Sequence, residues 1–365
     1  VDGAFAIQKS SQVVTLADAS NVTVDLLTLG ASNVNAFAGL NGGTTSAVGL
    51  SLTGVEFGLA LASQQMATGS TTPARTWTTL QASAQSATFA GITDLTLSAG
   101  ALNVAINLAS AANGDVIDYS QGQAALAVVT GTGSTLDLSL DGGKGELIQA
   151  SGNLQLDVFG FFKVDGAFAI EKSSKTVTLS DNTTVDVNLL AIGASNVSAF
   201  AGLNGGTSSA MGLNLTGVEF GLALMSQKMA VGSTTPARTW TWLQAAATGV
   251  TAVGLSDLSL SADTLTVSVN QASAANDAVV DYAAGKTSLA IATGPAVTDT
   301  LALSMEGVKG ELIQAAGNLH LDVFGFFKVD GGFAIEKSSK TVTLSDATTV
   351  DVNLLTIGAS NVSAF

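Results

Sequence analysis

Cysteine is absent from the chain, so no disulfide staples it and no thiolate can hold a metal. Histidine occurs once, at His320, which together with the missing cysteine removes Cys-His arrangements and the zinc sites built from several imidazoles. Proline numbers 3 in 365 residues, too few for a Pro-rich linker between modules. Basic residues are scarce as well: 13 Lys and Arg face 28 Asp and Glu, a net charge of −15. A surface of that sign repels phosphate backbones, which excludes nucleic acid as a partner. Two Tyr and three Trp cannot furnish the aromatic girdles of a membrane β-barrel. Long apolar runs are missing too. Leu26 to Val55 carries no charge, but Asn, Ser, Thr and Gly interrupt it. A spanning helix needs about 20 mostly apolar residues, so no membrane-spanning segment is expected.

What the chain does have is repetition. Val1, Val164 and Val329 each open the phrase VDG(A/G)FAI, at spacings of 163 and 165 residues. The agreement runs through whole units. ASNVNAFAGLNGG at Ala31 returns as ASNVSAFAGLNGG at Ala194, GSTTPARTW at Gly69 returns at Gly232, and GELIQA at Gly145 returns at Gly310. The two-residue difference in period lies where VVTGTGST becomes IATGPAVTDT, which predicts a surface loop. The expected organisation is a repeat unit over 1–163, a second over 164–328 and the start of a third over 329–365, read as a window from a longer array. A unit of about 164 residues exceeds the 20–45 residues of ordinary solenoid repeats. No Pro-rich or charged linker separates the units, which favours a continuous rod over beads on a string.

The 47% of hydrophobic residues come in alternation, the mark of strands. Leu154, Leu156, Val158, Phe162, Val164, Phe168 and Ile170 share one parity, with Gly160 and Gly166 in the same row. A two-residue hairpin at Asp165-Gly166 would break that row, so the phrase reads as a strand that bends at its glycines or a corner that keeps its inside face inside. Elsewhere the parity flips. Leu213 and Leu215 give way to Val218, Phe220 and Leu222, which predicts a two-residue turn at Thr216-Gly217. The flip from Leu258 and Leu260 to Leu265, Val267 and Val269 predicts a loop over Ser261 to Thr264, and TVTLSDNTTVDV allows a three-residue loop at Asp181 to Thr183. TWTWLQAAA from Thr239 reads as strand or loop. The fold class is therefore all-β: an elongated rod of tandem β repeats, either β-solenoid-like or stacked antiparallel hairpins.

The candidate chemistry is thin. His320 is matched by Gln155 in the other copy, so it reads as structural or surface. DGGKGELI at Asp141 has the look of a calcium-binding glycine-rich repeat, yet it stands alone and its sister at Glu306 loses a glycine. Asp141 with Glu146, or Glu306 with Glu311, supplies two carboxylates where calcium wants several converging oxygens, so a plain turn is favoured. The Asp118-Tyr119 and Asp281-Tyr282 pairs read as strand ends with solvated acids. The cluster Phe159, Phe161, Phe162 and Phe168 reads as core packing at a unit junction rather than a lipid groove. GSTTPARTW, with Arg75 and Trp77 or Arg238 and Trp240, reads as a simple loop, with glycan attachment or a neighbour contact as alternatives. Asn-x-Ser/Thr at Asn21, Asn182, Asn196, Asn214 and Asn361 matters only beside a glycosylation machinery. No catalytic, cofactor-binding or metal-ligating residue is assigned, and no enzyme activity is expected.

These long Ser/Thr/Ala/Gly/Val-rich tandem units, acidic and free of cysteine, resemble the repeat regions of very large bacterial surface or secreted proteins of the adhesin-like kind. The resemblance implies an extracellular or cell-surface, prokaryotic setting and carries over no functional residue. The expectation is a structural repeat protein forming a fibre, stalk or surface layer, with adhesion among its uses. Its units would associate end to end, and copies side by side. The alternative is a β-rich groove that binds or conducts lipid. A fibre predicts a filled core, whereas a groove predicts an uncovered apolar trough.

Overall fold

A computed structural model describes residues 1–110, 114–120, 125–230, 232–255, 258–273, 278–282, 286 and 288–365. The alternating text becomes strand throughout, and the only helical segments among the described residues are two 3-10 turns, Gly142–Lys144 and Gly307–Lys309. The strands of the first copy are β1 (Asp2–Thr15), β2 (Asn21–Leu40), β3 (Val48–Gln64), β4 (Thr76–Ala90), β5 (Leu95–Ala109), β6 (Leu126–Gly131), β7 (Ser134–Leu138) and β8 (Leu147–Val158). The second copy supplies β9 (Phe162–Thr178), β10 (Thr184–Leu203), β11 (Met211–Gln227), β12 (Thr239–Val253), β13 (Leu258–Ala272), β14 (Leu289–Ala292), β15 (Thr300–Leu303) and β16 (Leu312–Val323). The third stretch forms β17 (Phe327–Thr343) and β18 (Thr349–Ala364).

The protein is all-β. Fourteen strands belong to one open antiparallel sheet, in the order β1-β2-β3-β4-β5-β8-β9-β10-β11-β12-β13-β16-β17-β18, while β6-β7 and β14-β15 are separate two-stranded hairpins. Two compact units are present. One comprises Val1–Thr93, Leu97–Asn153 and Ile170–Lys175, and the other comprises Asp94–Thr96, Leu154–Ala169 and Thr176–Phe365.

In the first unit the β6-β7 hairpin lies over β1, β2 and β3. Its core gathers Val14, Leu16, Val24, Leu26, Trp77, Ile117, Tyr119, Val128 and Leu138. In the second unit the β14-β15 hairpin lies over β10 and β11 around Val187, Leu189, Met225, Trp240, Trp242, Tyr282, Ile291 and Leu303. Close approach of hairpin and sheet demands a missing side chain. A Cβ on Gly193 would stand 2.1 Å from the Ala292 carbonyl oxygen, and one on Gly30 would stand 2.1 Å from that of Val129. The predicted surface loop at the length change is thus the tip of this hairpin. Thr132 and Gly133 are exposed at the tip, but Val128 and Leu138 on its arms are buried.

Two parity arguments resolve the other way from expectation. Thr216-Gly217 is not a hairpin turn. β11 runs through it as one strand, with Gly217 at φ +56° and the register against β10 slipping between Val197 and Ala199. Ser261 to Thr264 is not a loop either: β13 continues, Thr264 has φ +48°, and the register against β16 slips between Asp263 and Thr266. A one-residue bulge moves every following side chain to the other face, which imitates a two-residue turn in the sequence.

The converse error falls on the Phe phrase. β8 and β9 are two strands, and the chain reverses over Phe159 to Phe161, with Phe159 at φ +53° and Gly160 at φ +69°. The Phe161 amide closes the turn on the Val158 carbonyl at 2.9 Å. At the next copy Val323 pairs with Phe327 across the same three-residue loop. An odd loop keeps parity, so the apolar row passes through the reversal unbroken. β9 does run straight through Asp165-Gly166, and β12 contains the Thr239 segment. The loop expected at Asp181 to Thr183 is real but sits one residue earlier, closed by the Leu179 amide on the Thr183 carbonyl at 2.9 Å, with Asn182 at φ +65°.

Candidate functional site

Three places gather chemistry-bearing residues: the capped end of each unit, the single histidine, and the sheet face that the hairpins leave open.

At the capped end, long-range hydrogen bonds hold a connecting segment onto the sheet. Trp77 Nε1 donates to the Asp115 carbonyl at 2.9 Å, and Trp240 Nε1 donates to that of Ala278 at 2.9 Å. The guanidinium of Arg75 lies 5.3 Å from the Trp77 ring centre, and that of Arg238 lies 5.2 Å from Trp240. Each Arg Nε also donates to a glutamine, Gln64 at 3.1 Å or Gln227 at 3.2 Å. The GSTTPARTW phrase is therefore a loop whose last residue is a buried anchor.

The Asp-Tyr pairs are not solvated strand ends. Tyr119 and Tyr282 are buried in the two cores. Asp118 Oδ1 accepts from the amides of Ser120 at 2.9 Å and Gly142 at 3.0 Å, which ties the connecting segment to the 3-10 turn. Burial raises the Asp118 carboxyl pKa, and the N–H donors of Gly142 and Ser120 outweigh burial and hold it below the usual value. Asp281 is buried and accepts from Gly307 at 2.9 Å, with Lys286 Nζ 2.5 Å from its other oxygen. Burial pushes the Tyr119 hydroxyl up to about 12 and raises that of Tyr282 as well, so neither is an acid at neutral pH. The two cores differ at the position held by Thr79 in one and Trp242 in the other. Thr79 Oγ1 donates to Asn107 Oδ1 at 3.1 Å, whereas Trp242 takes that place in the second unit and leaves Asn270 Oδ1 without a partner.

Asp141 caps its 3-10 turn, accepting from the Gly143 amide at 2.8 Å, while Glu306 in the sister turn makes no such bond. Glu146 Oε1 accepts from the Ala109 amide at 3.4 Å. The Lys309 and Glu336 side chains meet across the sister turn at 3.8 Å. Among the described residues no three His, Asp or Glu side chains converge in a way that could hold a metal.

His320 stands on β16 between carboxylates on β13 and β17. Its Nδ1 lies 2.7 Å from Asp330 Oδ1 and its Nε2 lies 3.3 Å from Asp263 Oδ2. Asn318 Nδ2 donates to Asp263 Oδ1 at 2.7 Å. The hydrogen bonds to Asp330 and then Asp263 raise the imidazole pKa, and those from Asn318, Thr264 and His320 lower that of Asp263. Both ring nitrogens are engaged by acids, so neither is placed to take a proton from a hydroxyl nucleophile.

The phenylalanines do not fill a core. Phe159, Phe161 and Phe162 are exposed, and Phe168 is half-buried. The turn they form is held by hydrogen bonds instead. Asp157 Oδ1 accepts from the Gly160 amide at 2.9 Å, the Asp94 carbonyl accepts from Phe159 at 2.8 Å, and the Gly205 amide donates to the Gly160 carbonyl at 2.8 Å. A cavity of about 700 Å3 beside this turn is lined by Gln155, Asp157, Lys163, Ser198, Phe200 and Asn214, and Lys163 is already paired with Asp157 at 2.7 Å. Asn21, Asn182, Asn196 and Asn361 are exposed and Asn214 is half-buried.

The open face emerges only from the pairing of the strands. In the second unit, cross-strand partners run Ile192-Leu222-Leu243-Val269-Ile313 over β10, β11, β12, β13 and β16. The next row runs Phe220-Ala245-Val267-Ala315-Ile335 over β11, β12, β13, β16 and β17. Both rows lie opposite the face that β14-β15 covers. Val267 is 37% exposed, Ile313 39% and Ile335 46%, values at which a core would be near zero. The first unit has its own such row, Ile7-Leu29-Leu59-Leu80-Ile106. The signal was in the sequence: strands with apolar residues on both parities want both faces covered.

No protein-family model matches the chain, and no curated protein or solved structure matches it. No helix among the described residues is long and apolar enough to cross a membrane.

Proposed function

We propose that the chain is a non-enzymatic structural repeat protein, a building unit of an extracellular fibre, stalk or surface layer, with adhesion as one use. The observation that carries this reading is which features the two copies keep and which they let vary. The scaffold bonds agree closely: Trp to backbone at 2.9 Å in both, Arg to Gln at 3.1 and 3.2 Å, and Asn107 and Asn270 to backbone carbonyls at 2.7 and 2.8 Å. The reactive groups do not agree. His320 is answered by Gln155 and Asp263 by Gly100. A sheet whose strands follow one another in sequence suits extension by adding units, and small residues let strands and hairpins approach closely. The acidic surface keeps such assemblies soluble.

Negative-stain electron microscopy of the purified chain, with its mass in solution measured by light scattering, tests this. Elongated assemblies of many chains are expected. Compact particles with the mass of one chain at every concentration would overturn the reading.

A second reading, a lipid-binding groove, draws support from the uncovered apolar rows. Mass spectrometry of an organic extract of the purified protein decides it, with bound acyl lipid in stoichiometric amount as the supporting result.

A further inference from the structure

We propose that the uncovered apolar face of the second unit is a docking surface for a second copy of this chain, packed sheet on sheet about a two-fold axis. The inference deepens the structural reading above and rests on it. Three observations select this occupant.

The first is charge. The chain carries −15, yet the two central rows, with Leu222, Leu243, Val267, Val269, Ile313 and Ile335, contain no acid. The nearest charge on this face is a cation, Lys337, directly opposite Ile313. Two copies that repel elsewhere meet here without a like-charge penalty.

The second is shape. Large and small side chains alternate: Ala245 and Ala315 stand between Phe220, Val267 and Ile335. Facing sheets interdigitate such side chains at about 10 Å separation. The rows are also absent from the lining of the cavity at Lys163 and Phe200, whereas acyl ligands occupy concave sites.

The third is size. Seven strands, β10 to β13 and β16 to β18, at about 4.8 Å spacing, with an apolar band roughly 17 Å deep, give a footprint of roughly 600 Å2 per copy. Two such footprints total about 1,200 Å2, the lower bound for a specific interface. The expected dimer is therefore weak when one face acts alone and strengthened when repeated faces act together.

β13 is the middle strand of the seven. Either in-plane two-fold axis through the centre of the face sets β13 over β13 of the partner copy. The absence of cysteine makes the test clean. Val267→Cys, treated with a short bismaleimide to span the two sheets, is expected to give covalent dimers. Thr132→Cys, exposed at the tip of the β6-β7 hairpin, is expected to give background only. Leu243→Lys is expected to weaken association at least tenfold in analytical ultracentrifugation, with the β signature in circular dichroism unchanged. Val267→Cys crosslinking no better than Thr132→Cys would overturn the proposal, even where micrographs show assemblies built through some other surface. Crosslinking without any larger assembly would keep this face and remove the fibre reading. Flotation of the chain with phosphatidylcholine vesicles, together with loss of the crosslink in their presence, would assign the face to lipid and overturn it as well.

Discussion

Asn270 Nδ2 donates to the Val280 carbonyl at 2.8 Å from a fully buried position, and this bond fastens the connecting segment of the second unit to β13. Asn107 does the same to Ile117 at 2.7 Å in the first unit. The connecting segment then bridges to the β9-β10 hairpin at Leu179 and Val280, and to the β1-β2 hairpin at Leu16 and Ile117. Asn270→Ala strands a buried carbonyl. It is expected to cost about 1–3 kcal/mol, read as a lower midpoint in urea unfolding followed by tryptophan fluorescence. An unchanged midpoint would show that the segment is not held by this bond.

Gly193 faces the Ala292 carbonyl oxygen so closely that a methyl group cannot fit between them. Gly193→Ala is expected to lift β14-β15 from the sheet and cost at least about 1–3 kcal/mol, the range of overpacked cores. Thermal unfolding measures it. A red shift of the emission from Trp240 and Trp242, both buried in this core, gives a second readout.

The His320 cluster makes a pH prediction with a definite sign. The imidazole pKa is raised above its ordinary 6.5, so its contribution is complete below that value and is lost as pH rises through the folded-state pKa. The Asp263 pKa is lowered from 3.8, so its contribution is present above 3.8 and is lost as pH falls through the folded-state value. The cluster therefore supports the fold best between about 3.8 and 6.5. As the chain has a single histidine, one imidazole resonance titrates in NMR, and its midpoint is expected above 6.5. Asp330→Asn is expected to bring that midpoint down. A midpoint at or below 6.5 in the unmodified chain contradicts the geometry.

Phe159 holds a positive φ of +53° with its ring exposed, a conformation that suits Asn far better than a bulky side chain. Phe159→Asn is expected to stabilise the chain by about 1 kcal/mol, read as a raised melting temperature. A fall instead would mean that the ring makes contacts that compensate its strained backbone.

Much of this protein was legible in its letters. The return of VDG(A/G)FAI, the all-β character and the poverty of reactive groups follow from composition and alternation, which are local properties. The alternation was nevertheless ambiguous about topology. Parity survives an odd-residue reversal such as Phe159 to Phe161 and inverts at a one-residue bulge such as the one at Gly217, so turns read as strands and bulges read as turns. Hydrogen-bond partners separate the two, and those partners lie on other strands. The roles of the Asp-Tyr pairs were likewise hidden, because Asp118 meets Gly142 and Asp281 meets Gly307 only after the chain has folded back.

The sequence by itself determined a repeated, strand-forming chain with apolar residues on both parities. Only the tertiary structure decided which of those faces is covered. The β14-β15 hairpin can lie on one side alone, and it settles where Gly193 lets two backbones come close. Ile192, one residue before it on β10, is left facing outward.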